Sequence, residues 1–212
     1  MNQRKKRIAE AFNNIAKPGQ FFAAPGITTT AKRNEHRIVS DMLGNASYGK
    51  QALDAGCGIG GYTDILIQKG YDVVGVDIAG GMVEFCRLKY EGRVALAIAD
   101  IGCTPFKEIS FDLVLCIDTL QYVNHRGRQA IVESLVKLLR PGGTIILDIK
   151  NKWCPFFLFK RFKDRLAEFY TVGSIASVLR KQGCRNIHSK GVFFPKLISP
   201  IVVVKARKVA EG

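Results

Sequence analysis

The stretch Gln51–Thr63, Gln-Ala-Leu-Asp-Ala-Gly-Cys-Gly-Ile-Gly-Gly-Tyr-Thr, constrains the chain more than any other. A short apolar run enters a glycine-rich turn and then helical spacing, the arrangement by which an α/β protein offers backbone N–H groups to a nucleotide-like ligand. Gly56, Gly58 and Gly61 satisfy the G-x-G-x-x-G spacing that dinucleotide-binding turns also use. Asp54, at the end of the apolar run, separates the ligands. A pyrophosphate at this turn meets that carboxylate at close range and is repelled, whereas a sulfonium and an ammonium are attracted. The charge logic favours S-adenosylmethionine over NAD.

Downstream, apolar β-branched runs alternate with helical spacing. Strands are predicted at Gln51–Ala55, Asp72–Asp77, Val94–Ala99, Phe111–Ile117 and Thr144–Ile149, and helices at Tyr62–Lys69, Gly80–Tyr90 and Arg126–Leu139. Strands that are apolar along nearly their whole length are covered by helices on both faces, so the fold class is α/β with a doubly wound parallel sheet. Ahead of this core, Gln3–Lys17 and Ala31–Leu43 read as amphipathic helices, with Pro18-Gly19 and the loop Phe21–Thr30 between them. After it, Thr171 caps a helix over Val172–Gln182, and two strands follow at Asn186–Lys190 and Ile201–Arg207. The 212 residues suit one domain, with no length left for a separate substrate domain. It divides into an N-terminal part over residues 1–50, a cofactor core over 51–150, an insertion over 151–170 and a C-terminal part over 171–212.

Leu-Asp-Ala-Gly-Cys-Gly-Ile-Gly resembles the first motif of class I S-adenosylmethionine-dependent methyltransferases. Further pieces follow in order: Asp77 ending Asp-Val-Val-Gly-Val-Asp, Asp100 in Ala-Ile-Ala-Asp-Ile, Phe-Asp-Leu-Val-Leu-Cys-Ile, and Leu-Leu-Arg-Pro-Gly-Gly-Thr-Ile-Ile-Leu-Asp-Ile. The resemblance implies a Rossmann-like sheet of seven strands, mostly parallel, with an antiparallel hairpin at its C-terminal edge and residues 1–50 forming part of a lid. It also implies roles. Asp77 accepts both ribose hydroxyls, Ile78 and Met82 pack on the adenine, and Asp100 with the Ile101 backbone reads the adenine edge. Gly56 and Gly58, with Ala55 in the same turn, let the backbone approach the methionine part. Asp54 and the backbone around Cys116 address its ammonium, while Arg33 or Arg37 reaches its carboxylate. Asp118-Thr119-Leu120-Gln121-Tyr122-Val123 resembles the acceptor-lining Glu-Met-Leu-Glu-His-Val segment of quinone-biosynthesis O-methyltransferases, with Gln121 and Tyr122 replacing the acid and the histidine. That departure argues against histidine-based or metal-assisted chemistry and for no metal. Asp118 and Tyr122 are the catalytic candidates, with His125 and Tyr170 as further acceptor contacts.

The net charge of +14 calls for an anionic partner: nucleic acid, an acidic membrane surface or an anionic substrate. The segment Asn151–Tyr170 carries the one tryptophan, five phenylalanines and five basic residues, which suits a membrane surface, a large apolar acceptor or packing on the sheet. The Asn/Asp-Pro-Pro-Tyr/Phe signature of base methylation is absent. These features favour a small-molecule or lipid-like acceptor, methylated at oxygen, carbon or nitrogen, and peripheral contact with an anionic membrane. An RNA methyltransferase and an inactive cofactor-binding partner subunit are the alternatives. Six dispersed cysteines without a C-x-x-C pair indicate reduced thiols and, with no secretion signal, a cytoplasmic protein.

Overall fold

The computed structural model describes residues 3–15, 29–45, 48–155, 168–193 and 195–210. The Pro18-Gly19 stop, Phe21 and Phe22, and the aromatic and basic residues between 156 and 167 lie outside the described residues, as do the side chains of His125 and Arg126. The elements are helices α1 (Gln3–Ile15) and α2 (Thr29–Leu43), then β1 (Gln51–Ala55), α3 (Gly61–Gln68), β2 (Asp72–Asp77), α4 (Gly80–Tyr90) and β3 (Ala95–Ile98). β4 (Phe111–Cys116), α5 (His125–Lys137), β5 (Leu139–Lys150), α6 (Val172–Lys181), β6 (Cys184–Gly191) and β7 (Ile201–Lys208) complete the series.

One seven-stranded sheet runs in the order β3-β2-β1-β4-β5-β7-β6. The pairs among β1 to β5 are parallel, while β7 runs antiparallel to both β5 and β6. This is the Rossmann-like sheet with an antiparallel C-terminal hairpin that the sequence implies. Alternating residues explain the continuous apolar strands. Leu53, Val114, Ile145, Leu147 and Val204 face one core with Val132, Leu135 of α5 and Ile175, Leu179 of α6. Ala52, Leu113, Leu115, Ile146 and Val203 face another with Ile38, Val39 of α2, Leu66 of α3 and Cys86, Tyr90 of α4. Each fully buried aliphatic side chain contributes about 1.5–3 kcal/mol, so both faces anchor the strand ends that build the site.

Among the boundaries that differ from the sequence reading, those of β5, α5 and β6 have a tertiary reason. The strand predicted from Thr144 begins at Leu139, because Leu139 pairs with Phe111 and the Arg140 guanidinium binds Asp112 at 2.6 Å; the helix predicted to reach Leu139 therefore stops at Lys137. The strand predicted from Asn186 begins at Cys184. Asn186 itself, with φ 51°, sits in a register break between Arg185 and His188. Local pattern ends there, but the ladder with β7 continues past it.

Candidate functional site

The C-terminal ends of four adjacent strands each deliver a carboxylate to one rim: Asp54 from β1, Asp77 from β2, Asp100 after β3 and Asp118 after β4. The glycine turn lies among them. Gly56 has φ +87°, and a Cβ there would lie 2.0 Å from the Thr119 hydroxyl, so only glycine allows the turns after β1 and β4 to meet. Gly58, φ +54°, has open space where a Cβ would point. The third left-handed residue is Gly60 rather than Gly61: a Cβ at Gly60 would meet the Tyr90 hydroxyl, which donates to the Gly60 carbonyl and to Asp64, both at 2.8 Å.

Asp77 ties this turn to the next element. Its two oxygens accept the Gly58 N–H at 2.9 Å and the Ala79 N–H at 2.8 Å, joining the glycine turn to the start of α4. Burial raises its pKa, opposed by those backbone donors. Asp54 is 2% exposed and accepts the Thr63 hydroxyl at 2.6 Å. Burial pushes its pKa up to about 6, against the bond from Thr63 and with the nearby Asp77 charge. It therefore lies behind the turn, closed to open contact. The side chains of Ala55 and Cys116 are fully buried, which leaves their backbone to face a ligand. Ile78 is half-buried, while Met82 and Ile101 are buried beside the ends of β2 and β3.

Helix α1 crosses the same rim. Lys5 ion-pairs with Asp100, whose other oxygen accepts the Gly102 N–H at 3.0 Å. Asn13 accepts the Gly81 N–H at 2.8 Å, and Arg4 donates to the Tyr122 carbonyl at 3.2 Å while pairing with Glu168. Phe12 meets the Tyr122 ring edge-on at 5.1 Å. The structure thus sets Gly56, Gly58, Asp77, Asp100, Asp118 and Tyr122 along one rim, with Asp54 buried behind it. Tyr170 stands apart. It is buried, and its hydroxyl donates to the carbonyls of Leu120 (2.7 Å) and Val123, fixing the 118–123 turn instead of facing an acceptor.

Four residues beside the rim have no role in the sequence reading: Lys32 and Glu35, which lie in no motif, and Tyr62 and Asp148, which lie within quoted ones. Arg33 and Arg37 are exposed on α2, and Lys32 is the cation that turns inward, pairing with Glu35 at 2.9 Å and with Asp118. Asp148 is buried in β5 and accepts the Asp118 N–H at 2.7 Å. Burial holds its pKa well above the usual carboxylate range, reinforced by Glu35. A lone carboxylate in the apolar run Ile-Ile-Leu-Asp-Ile is its one legible signal.

A strand-end carboxylate rim around a left-handed glycine turn, in a sheet of this order, is an α/β arrangement whose charge suits a nucleoside-type cofactor bearing positive charge. A family model described as a methyltransferase domain matches residues 53–147, from β1 into β5. Over those residues the chain is similar to methyltransferase domains, and solved structures of the same fold hold S-adenosylmethionine or S-adenosylhomocysteine. It is 32% identical over 177 residues to a phosphoethanolamine N-methyltransferase of Triticum aestivum, covering 80% of this chain and 33% of that protein. It is 33% identical over 113 residues to a ubiquinone biosynthesis O-methyltransferase of Idiomarina loihiensis, covering 50% of this chain and 44% of that protein. The chain thus spans between a third and a half of these relatives. Magnesium protoporphyrin IX methyltransferase from Synechocystis PCC 6803, solved with bound S-adenosylhomocysteine, shares the fold with a TM-score of 0.75 at 20% identity, over 97% of this chain and 100% of that one.

Proposed function

We propose that the protein transfers a methyl group from S-adenosylmethionine to a small-molecule or lipid-like acceptor, at oxygen, carbon or nitrogen. The observation that carries this reading is the rim of Asp54, Asp77, Asp100 and Asp118 around a glycine turn whose Gly58 face is open. The donor set fits the cofactor, since carboxylates favour a sulfonium and an ammonium and oppose a pyrophosphate. Bound there, the cofactor supplies a methyl group on a positively charged sulfur, open to in-line displacement.

In this reading Asp77 accepts the ribose hydroxyls with the lone pairs its backbone donors leave free. Ile78, Met82 and the Ile101 backbone flank the adenine. Asp100 reads its amino group once Lys5 yields, and the backbone at Ala55, Gly56, Gly58 and Cys116 meets the methionine part, with Asp54 supporting its ammonium electrostatically. Helix α1 closes over the bound cofactor through Asn13 and Arg4, which excludes water and aligns the reactants. Asp118 and Tyr122 face the acceptor. The named relatives act on phosphoethanolamine, in ubiquinone biosynthesis and on magnesium protoporphyrin IX, which supports a small acceptor.

No helix among the described residues is long and apolar enough to cross a membrane, and the +14 charge suits peripheral contact with an anionic one. The same charge supports the RNA reading. Incubating the purified chain and methyl-labelled S-adenosylmethionine with a lysate of the source organism, then partitioning the label, separates them. Label in the small-molecule or organic fraction is expected; nuclease-sensitive label overturns the reading, and so does no transfer at all.

A further inference from the structure

Two loops meet beyond the C-terminal end of β5. Lys150, the last residue of β5, pairs with Ile201, the first of β7, so residues 151–155 and the connection between β6 and β7 emerge side by side. Asn151 joins them. Its side-chain nitrogen lies within donating distance of the carbonyls of Lys196 (3.2 Å), Leu197 (2.9 Å) and Ser199 (3.0 Å), and its Oδ1 accepts the Trp153 N–H at 3.1 Å. The connection is also closed from within. The Ile198 N–H donates to the Pro195 carbonyl at 3.0 Å, while the buried Ser199 hydroxyl donates to the Ile201 carbonyl at 2.6 Å and accepts the Val192 N–H at 2.9 Å.

What these two loops present to solvent is apolar. Trp153 is 63% exposed, Leu197 71%, Ile198 43% and Phe193 41%, although Asn151, Cys154, Val192 and Ser199 are buried beneath them. A fixed, hydrogen-bonded base thus holds large apolar side chains outward, an arrangement that costs free energy in water and marks an interaction surface. Lys152 and Lys196 stand exposed among them, and residues 151–155 and 192–200 include no acid. Protein interfaces are depleted of lysine, so a protein partner fits this composition poorly. Tryptophan and aliphatic tips fringed by lysine match the boundary of an anionic bilayer, where the rings and aliphatic chains enter the headgroup layer and the ammonium groups meet lipid phosphates.

We propose that Trp153, Phe193, Leu197 and Ile198 form a docking surface for an anionic lipid bilayer, with Lys152 and Lys196 binding its headgroups. The place of this surface in the fold sets what docking does. The Lys152 N–H donates to the Tyr170 carbonyl at 2.8 Å, and the Tyr170 hydroxyl in turn donates to the Leu120 carbonyl at 2.7 Å and to that of Val123. The docked face therefore adjoins the turn that carries Asp118 and Tyr122, at the same end of the sheet as the carboxylate rim. An acceptor dissolved in the leaflet reaches the cleft along that face without crossing bulk water, an extension that rests on the methyl-transfer reading. The docking itself stands on the two loops alone.

Trp153 is the chain's one tryptophan, so its emission reads the surface directly. The test adds vesicles of phosphatidylglycerol or of phosphatidylcholine to the purified full chain. Co-sedimentation, tryptophan emission and quenching by lipids brominated along their acyl chains are followed, with S-adenosylmethionine binding measured on the same samples. Binding to phosphatidylglycerol with a blue shift and quenching is expected, and binding to phosphatidylcholine about tenfold weaker. Leu197→Ser combined with Ile198→Ser weakens binding by about tenfold or more, and Lys152→Gln combined with Lys196→Gln weakens it several-fold. All four side chains are exposed, so the fold is retained. Co-sedimentation with unchanged tryptophan emission puts the contact elsewhere on the basic surface and overturns the proposal, as does no binding, or binding that neither pair of substitutions changes. A blue shift that grows with protein concentration in the absence of lipid assigns the face to a second copy and also overturns it. S-adenosylmethionine binding that persists without vesicle binding rejects the surface and leaves the methyl-transfer reading standing; the converse rejects the cofactor reading alone.

Discussion

Asp54→Asn changes the pH dependence of stability in a way the structure specifies. The wild-type carboxyl is buried and its pKa stands near 6 in the folded chain against 3.8 for an ordinary aspartate. The folded state therefore holds a proton that the unfolded state has lost between those values, so stability falls as pH rises through the window and levels off above it. A shift of about two units at 1.36 kcal/mol each gives about 3 kcal/mol. Asparagine retains an oxygen to accept the Thr63 hydroxyl at this position but cannot titrate. Urea unfolding of both proteins at half-unit steps from pH 4 to 7.5 isolates Asp54 as the difference between the curves. The wild type should lose about 3 kcal/mol relative to Asp54→Asn across that range, then run parallel to it. A flat difference, or one that grows in the wild type's favour with pH, refutes the reasoning. A cationic ligand favours the ionised carboxylate, so S-adenosylmethionine should bind more tightly as pH rises through about 6, with uptake of the cofactor releasing up to one proton.

Other outcomes follow from single contacts. Asp77→Ala removes the acceptor for the Gly58 and Ala79 N–H groups and for the ribose, and should weaken S-adenosylmethionine binding by about 1–3 kcal/mol in calorimetry; an unchanged affinity counts against the assignment. Gly56→Ala forces a side chain into a left-handed residue and against Thr119, at about 1–2 kcal/mol for the conformation alone. Combining it with Thr119→Gly should recover the steric part in a thermal melt but not the conformational part, and complete recovery would contradict the stated cause. Tyr170→Phe removes the donor to Leu120 and Val123 and should cost about 1–3 kcal/mol of stability by chemical denaturation, since two buried carbonyls lose a partner; a neutral result would show that water replaces it.

The parallel core of the sheet was legible because β1 and β2 are short, largely apolar and end beside glycine or aspartate, and the order of motifs carried the topology. Asp77 and Asp54 were legible for the same reason, as carboxylates closing strands beside a glycine turn. Glu35 and Lys32 were not, because they stand on an amphipathic helix where an acid and a base three positions apart look like a solvated surface pair. Only the fold brings them against Asp118 and Asp148, 83 and 113 positions downstream of Glu35 in the chain. Gly60 was missed because the spacing rule counts Gly61, and the contact that demands glycine at Gly60 comes from Tyr90, thirty positions away. Long-range contacts decided each of these, and local pattern carries no trace of them.

The most direct test of the account is a pair of calorimetric titrations of the purified chain, one with S-adenosylmethionine and one with NAD. A carboxylate rim around the glycine turn calls for stoichiometric binding of the sulfonium cofactor and none of the dinucleotide. Tight binding of NAD, or no binding of S-adenosylmethionine, would contradict it.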